Sequence, residues 1–356
     1  MDPVTHVASG LLLSQLIPAP ARGWAALAGV ILAVLPDTDY FLGLTSRWAY
    51  LRYHRAFTHS LLALPLWALL GAGVGRLLGG PKWFQPLLLL GLACLATHLL
   101  LDLATSYGTQ LLSPFSRNKY TLDWLFIIDP YFTLFLLVGA LAALISPGWG
   151  RGAGSVCLVG AVFYLLICGF YHHQALSLAR QVFQKEAQAG AEVAALPQPF
   201  SCRRWQLIAA TPREIKQTLV LLPYRPWPVS SRIMQVQEAA ATSWSCPRAP
   251  GVDYRPPESL IIHDWRAAAA PLPKYGPEAQ KLLDQYLDFA RFPLLVRVKS
   301  ESEGFLLEWI DLRFTVPGRP FPFVLQMSLD AAGNLLQGEI GRCVDGKLKP
   351  EGEVRG

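Results

Sequence analysis

Apolar residues run almost unbroken through three stretches, Ser60 to Leu78, Trp83 to Leu101 and Leu125 to Ile145. Each is long enough to cross a bilayer, since a spanning helix needs about 20 residues at 1.5 Å rise. Gly154 to Phe170 is a shorter fourth candidate, bounded by Ser146-Pro147-Gly148 and Tyr171-His172-His173. Val4 to Ile17 and Trp24 to Leu35 are each too short for an upright span. Joined by the break Pro18 to Gly23, they predict either a helical hairpin packed on the bundle or two short spans in thinned bilayer. From about Gln174 the pattern changes. An Ala-rich, charged stretch predicts a helical linker ending at Pro197-Gln198-Pro199, and beyond it strand-like runs take over: Trp205 to Ala209, Thr218 to Leu222, Leu294 to Lys299, Gly304 to Phe314 and Phe321 to Leu329. Pro277 to Arg291 has helical spacing, with Leu282, Leu283, Tyr286, Leu287 and Ala290 on one stripe. The expected architecture is an all-α polytopic membrane helix bundle of four to six helices over residues 1–173. A helical linker over 174–197 and a soluble α+β domain over 198–356 follow it.

Composition agrees with that division. The chain has 356 residues, of which 52% are hydrophobic and only 16% charged, against roughly 25% charged in soluble proteins. Residues 1–170 hold nine Lys or Arg, six Asp and no Glu, while residues 171–356 hold twenty-two basic and nineteen acidic residues. The net charge of +6 is spread over both parts, too diffuse for a nucleic-acid footprint, so no nucleic-acid partner is expected. Six scattered cysteines without a CxxC pair indicate neither a disulfide framework nor a thiolate zinc site. Met1 to Thr5 lacks the basic stretch of a cleavable signal peptide.

Candidate chemistry gathers on one side of the bundle. His6, His54, His59 and His98, with Asp2, Asp37, Asp39, Asp102, Asp123 and Asp129, all fall near one membrane face when the apolar segments alternate in direction. His98 and Asp102 stand four residues apart, which stacks them one turn apart on a helix; they form either a helix-end hydrogen bond or two ligands on one rigid element. Asp37 and Asp39, after Pro36, are either turn caps or oxygen ligands for a cation. His54 and His59 are too far apart to share a helix face, so His54 to Ser60 reads as a loop entering a helix near Thr58. Thr58 or Ser60 would cap that helix, and Arg55 either answers lipid headgroups or serves a site. Ionisable groups at membrane spans are costly and usually paired or functional.

The set Thr5-His6, Leu35-Pro36-Asp37-Thr38-Asp39, His54-Arg55-Ala56-Phe57-Thr58-His59-Ser60 and His98 with Asp102 resembles the LexA-regulated, membrane-bound metal-dependent hydrolase family (YdjM-like), over residues 1–170. The order His, Asp, His, His-x3-Asp also looks like the metal-binding order of zinc-dependent phospholipase C and its related single-strand nucleases. The resemblance implies a metal-dependent hydrolase. One departure is that no second HxxxD or HxxxE follows Asp102, leaving Asp123, Asp129, His172 and His173 as further ligands.

With the resemblance, the expected metal ligands are His6, Asp37, His59, His98 and Asp102. Asp39 and His54 are expected as orienting groups or a general base, and Arg55 as a clamp for an anionic group. Imidazole and carboxylate ligands suit zinc first, with manganese or iron(II) as alternatives. A site at the membrane lip favours an amphiphilic, lipid-like phosphoester or ester as substrate. Two other readings compete: a transporter with a His/Asp ion path, and a non-catalytic, metal-stabilised membrane anchor for the C-terminal domain. Arg47, Arg52, Arg55, Arg117, Lys119, Arg180 and Lys185 lie on the face carrying the site, against Arg22, Arg76, Lys82 and Arg151 on the other. The resemblance implies a bacterial inner membrane protein, and that asymmetry predicts that the site and the C-terminal domain face the cytoplasm.

Overall fold

The computed structural model describes residues 1–146, 149–211, 214–224, 235–237, 254–266, 272–301, 304–344 and 347–355. Its helices are α1 (Pro3–Leu16), α2 (Arg22–Val34), α3 (Leu42–Thr45), α4 (Arg47–Tyr53), α5 (Ala63–Gly79), α6 (Phe84–Leu103), α7 (Pro130–Ile145), α8 (Gly150–Val182), α9 (Gln184–Gln188) and α10 (Pro277–Phe289). Two compact units divide the chain: residues 1–41 with 53–170, and residues 42–52 with 171–356.

In the first unit, local chemistry sets most helix starts. The Asp2 carboxylate accepts from the Thr5 amide at 3.1 Å and Pro3 opens α1, which satisfies one orphan donor and uses a residue that has none to lose. Asp129 caps α7 through the Phe132 amide, and Pro130 follows it. Helices α1 and α2 cross at two glycines. A Cβ on Gly10 would run into the Gly29 carbonyl and Ala33, and a Cβ on Gly29 into the Gly10 carbonyl and Ser14. Small residues of this kind let helix backbones touch where no aqueous hydrophobic drive operates. Leu32, Ala33, Ala72, Trp83, Leu87, Leu90 and Cys94 form the packed centre between α2, α5 and α6.

Several expectations are corrected in this unit. Among the described residues, three helical stretches are long and apolar enough to span a membrane: Arg22–Thr45, Pro81–Leu103 and Gly150–Val182. A fourth arises if Arg47–His59 and Ala63–Gly79, bent by 71°, count as one span. Trp24 to Leu35 is therefore not a short element, because the helix tightens into a 3-10 turn over Leu35–Phe41 and continues. The opposite holds at Leu125 to Ile145. Helix begins only at Pro130, because Leu125 bridges Thr105 in an irregular segment, and 16 residues rise only about 24 Å. The loop at His54 to Ser60 enters a 3-10 turn, Phe57–His59, and α5 starts at Ala63 with Ser60 Oγ accepting from the Ala63 amide. Helix α8 exceeds its expected span at both ends, while the turn at Pro147-Gly148 lies outside the described residues.

The second unit is rich in sheet. Its strands are β1 (Glu192–Pro197), β2 (Arg204–Ala210), β3 (Glu214–Leu221), β4 (Gln235–Gln237), β5 (Ile261–Arg266), β6 (Pro293–Glu301), β7 (Gly304–Asp311), β8 (Val324–Asp330), β9 (Leu335–Val344) and β10 (Lys347–Arg355). They form two five-stranded sheets, ordered β1-β2-β3-β5-β4 and β10-β9-β8-β7-β6. A shared core of Ile208, Ile215, Trp265, Phe292, Leu294, Ile310 and Phe321 joins the sheets. Gln206 reaches across it to donate to the Leu312 carbonyl at 3.0 Å. The stretch expected as a helical linker ends instead in β1, since its six residues pair with β2 along their whole length; ladder pairing outweighs the helix propensity of Ala. Cys94, Cys157, Cys168 and Cys202 are free thiols, and Cys246 lies outside the described residues.

Substituting Gly29→Val will separate α1 from α2 and cost about 1–3 kcal/mol by overpacking. Gly23→Ala, whose added carbon meets nothing within 4 Å, will leave stability unchanged. Thermal unfolding in detergent reads both, and equal midpoints for Gly29→Val and wild type would contradict the crossing.

Candidate metal centre

Four separate elements deliver the polar residues of the first unit to one place. His6 lies on α1, Asp37 and Asp39 on the 3-10 turn after α2, His54 to His59 on the segment between α4 and α5, and His98 with Asp102 on α6. His6, His59, His98 and Asp102 are fully buried, and Asp37 keeps 9% side-chain exposure.

Hydrogen bonds fix which imidazole nitrogens carry protons. His98 Nδ1 lies 2.7 Å from the Ala33 carbonyl. A carbonyl only accepts, so Nδ1 carries the proton, which in the neutral ring leaves the lone pair on Nε2. Ala33 lies in the last turn of α2, where carbonyls lack an intrahelical partner. His59 Nδ1 lies 2.9 Å from Thr58 Oγ1, which in turn donates to Asp39 Oδ2 at 3.0 Å. That relay puts the proton on Nδ1 of His59 and the lone pair on Nε2. His54 donates from Nδ1 to Asp39 Oδ1 at 2.7 Å.

The lone pairs so produced point at one another. His59 Nε2 is 3.3 Å from Asp102 Oδ2 and 3.4 Å from Asp37 Oδ1, and His98 Nε2 is 3.4 Å and 3.8 Å from the same two oxygens. His59 Nε2, His98 Nε2 and Asp102 Oδ2 have no hydrogen-bond partner, nor does either nitrogen of His6. Acceptors facing acceptors in a buried space repel, and unpartnered buried polar atoms cost about 1–3 kcal/mol each. A cation between them reverses the sign. Ligands about 2.0 Å from one tetrahedral ion stand about 3.3 Å apart, close to the spacing found. The donor set of imidazole nitrogens and carboxylate oxygens therefore fits a divalent metal.

Three triplets bring ligand atoms within 4.8 Å of one another: His6, His98 and Asp102; Asp37, His59 and His98; Asp37, Asp39 and His54. All the expected ligands are brought together, though His6 sits to one side, stacked on His98 at 3.8 Å and 3.3 Å from Asp102 Oδ1. The Met1 amino group also lies against that oxygen. Arg55 faces no headgroups; it is buried, with its guanidinium 2.7 Å from Asp102 Oδ1 and 3.0 Å from Thr105 Oγ1. Asp39 accepts from His54, Thr58 and the Arg55 amide, which is the carboxylate support that metal-binding imidazoles usually have.

The further ligands named from the sequence do not join any triplet among the described residues. Asp123 accepts from Thr121 at 2.6 Å, Asp129 caps α7 and accepts from Tyr164, and His172 packs against Trp205. The sequence reading missed the Ala33 carbonyl and Thr105. The first leaves no signal in residue type, and the second falls just past a helix end.

Residues 1–175 match the YdjM inner membrane protein family. This part of the chain is similar to that family. The protein named "Uncharacterized protein YfhP" of Bacillus subtilis (strain 168) is 31% identical over 179 residues, covering 48% of this chain and 53% of its own length. The chain thus spans about half the length of the curated relative it matches. No solved structure matches it. All eight residues singled out from the sequence for the site lie inside the matched residues 1–175.

Metal content after purification in detergent will distinguish the groups. His98→Ala and Asp102→Ala will lose the divalent ion that the wild-type protein is expected to retain. Asp39→Asn, one bond removed from the ligands, will weaken retention about 10–100-fold, and Thr121→Ala will not change it. Retention unaltered in the first two variants would remove both residues from the centre.

Proposed function

We propose that the protein is a membrane-bound metal-dependent hydrolase that works at the bilayer interface on an amphiphilic, lipid-like phosphoester or ester. Three observations support the reading: the inner membrane family of residues 1–175, the apolar helices around the site, and the facing lone pairs of His59, His98 and Asp102. The last carries it. His6, Asp37, His59, His98 and Asp102 hold the ion, with zinc the best fit to this donor set and manganese or iron(II) next. A divalent ion there supplies Lewis acidity and makes water acidic near neutral pH.

The chain's own groups do the rest. Asp37, the one ligand with exposure, marks the side from which water and substrate reach the ligands. His54, with its Nδ1 proton held on Asp39, carries its basic lone pair on Nε2, as a general base requires. Asp39 holds His54 and the Thr58 relay in register. Arg55 steadies Asp102; a clamp on a substrate anion would need a guanidinium that Asp102 and Thr105 do not already engage. The acyl or isoprenoid chains of the substrate remain in lipid beside the apolar faces of the helices.

A non-catalytic, metal-stabilised anchor is the second reading, favoured by the zero exposure of His6, His59, His98 and Asp102. A panel of phosphomonoesters, phosphodiesters and lipid esters, offered to protein in detergent with zinc or manganese, separates the two. Hydrolysis that stops with a chelator, and that falls about 10²–10⁴-fold in His54→Ala, is the expected result. Bound metal with no turnover across the panel would favour the anchor.

We also place the C-terminal domain on the cytoplasmic side of the inner membrane. Of the seven basic residues counted for that face, Arg55 is buried and no longer contributes, leaving six against four. A C-terminal green fluorescent protein fusion will fluoresce, and an alkaline phosphatase fusion at the same point will be inactive. The reverse pattern would invert the topology.

A further inference from the structure

Among the described residues, Arg55 is the one buried side-chain cation at the metal centre, and its backbone is bent to put it there. Its φ is +58°, a left-handed conformation that costs a residue with a Cβ and persists only when neighbours impose it. Two hydrogen bonds do so: the Arg55 amide donates to Asp39 Oδ2 at 2.9 Å, and its carbonyl accepts from the Gln110 amide at 2.9 Å. The side chain then turns inward, 2% exposed. Its guanidinium meets Asp102 Oδ1, Thr105 Oγ1 and the Asp102 carbonyl at 2.7, 3.0 and 3.4 Å, and lies over the Tyr107 ring at 4.9 Å.

The two oxygens of Asp102 consequently face different charges. Oδ2 points at the lone pairs of His59 and His98, and Oδ1 points at Arg55. A carboxylate divided in this way could bridge two metal ions, but here the Oδ1 side is taken by the Arg55 guanidinium, with the Met1 amino group and His6 Nε2 also against it. His98 adds a second limit. Its Nδ1 is committed to Ala33, so only Nε2 ligates, and the triplets His6–His98–Asp102 and Asp37–His59–His98 compete for that one atom, while in the third triplet, Asp37–Asp39–His54, His54 Nδ1 and both Asp39 oxygens are already hydrogen-bonded.

We infer that the centre holds a single divalent ion, and that Arg55 is a positioning residue standing where a second ion would sit, restricting Asp102 to ligation through one oxygen. This rests on the metal-centre reading above and adds to it the number of ions and the role of Arg55. Hydrolysis in this chain would then rely on one ion with a fixed guanidinium beside it, and not on a metal cluster.

Metal counting by mass spectrometry tests the inference on full-length protein in detergent, loaded with excess zinc or manganese and then desalted. Wild type will retain one equivalent per chain. Arg55→Lys, which keeps the positive charge, will also retain one. Arg55→Met, if monodisperse by gel filtration, will take up a second equivalent because the competing cation is gone. Two or more equivalents in wild type would overturn the single-ion inference while leaving the metal centre standing. No equivalents would overturn both. A monodisperse Arg55→Met that still retains one equivalent would remove Arg55 from the role assigned to it. Should that variant not fold, the wild-type count still decides.

Discussion

The first unit depends on an electrostatic conflict. Nε2 of His59, Nε2 of His98 and Oδ2 of Asp102 are buried acceptors that face one another without a hydrogen between them. Shifting the proton of either neutral imidazole from Nδ1 to Nε2 would relieve the conflict only by giving up the bonds to Thr58 or Ala33 that orient the rings, and moving the side chains apart would open the packing around α6. A divalent ion resolves it with every side chain left in place. The same requirement explains why so many polar residues are tolerated among apolar helices, where each would otherwise be a cost.

The scaffold makes that arrangement rigid by local means. Gly10 and Gly29 bring α1 and α2 into backbone contact, which holds His6 beside the end of α2. There Ala33 receives His98, and the 3-10 turn with Asp37 and Asp39 begins. Asp39 then ties together His54, Thr58 and the strained Arg55 backbone. His59, His98 and Asp102 therefore each have a second partner behind them, the condition under which a site keeps its geometry.

Much of this was legible in the residues. The His98-x3-Asp102 spacing required one helical face, and α6 supplies it; Leu-Pro-Asp-Thr-Asp required a tight turn, and a 3-10 helix supplies that. The apolar runs marked α1, α2, α5 and α6 to within a few residues. The parts that escaped depend on contacts distant in sequence. Nothing in the run Leu125 to Asp129 announces that it pairs with the segment after α6 and delays α7, and the Ala-rich run before Pro197 is a strand only because β2 is there to pair with it. The inward turn of Arg55 escaped for a related reason: the residues left open whether it answers headgroups or serves a site, and the positive φ that accompanies its burial leaves no signal in residue type.

X-ray absorption at the metal edge, on purified zinc-loaded protein in detergent, reads the central claim directly because it reports which atoms surround the ion. Imidazole nitrogen and carboxylate oxygen scatterers at about 2.0–2.2 Å, with outer-shell imidazole carbon features and no sulfur shell, are the predicted result. A sulfur shell at about 2.3 Å, or a spectrum of hydrated zinc without imidazole features, would contradict it.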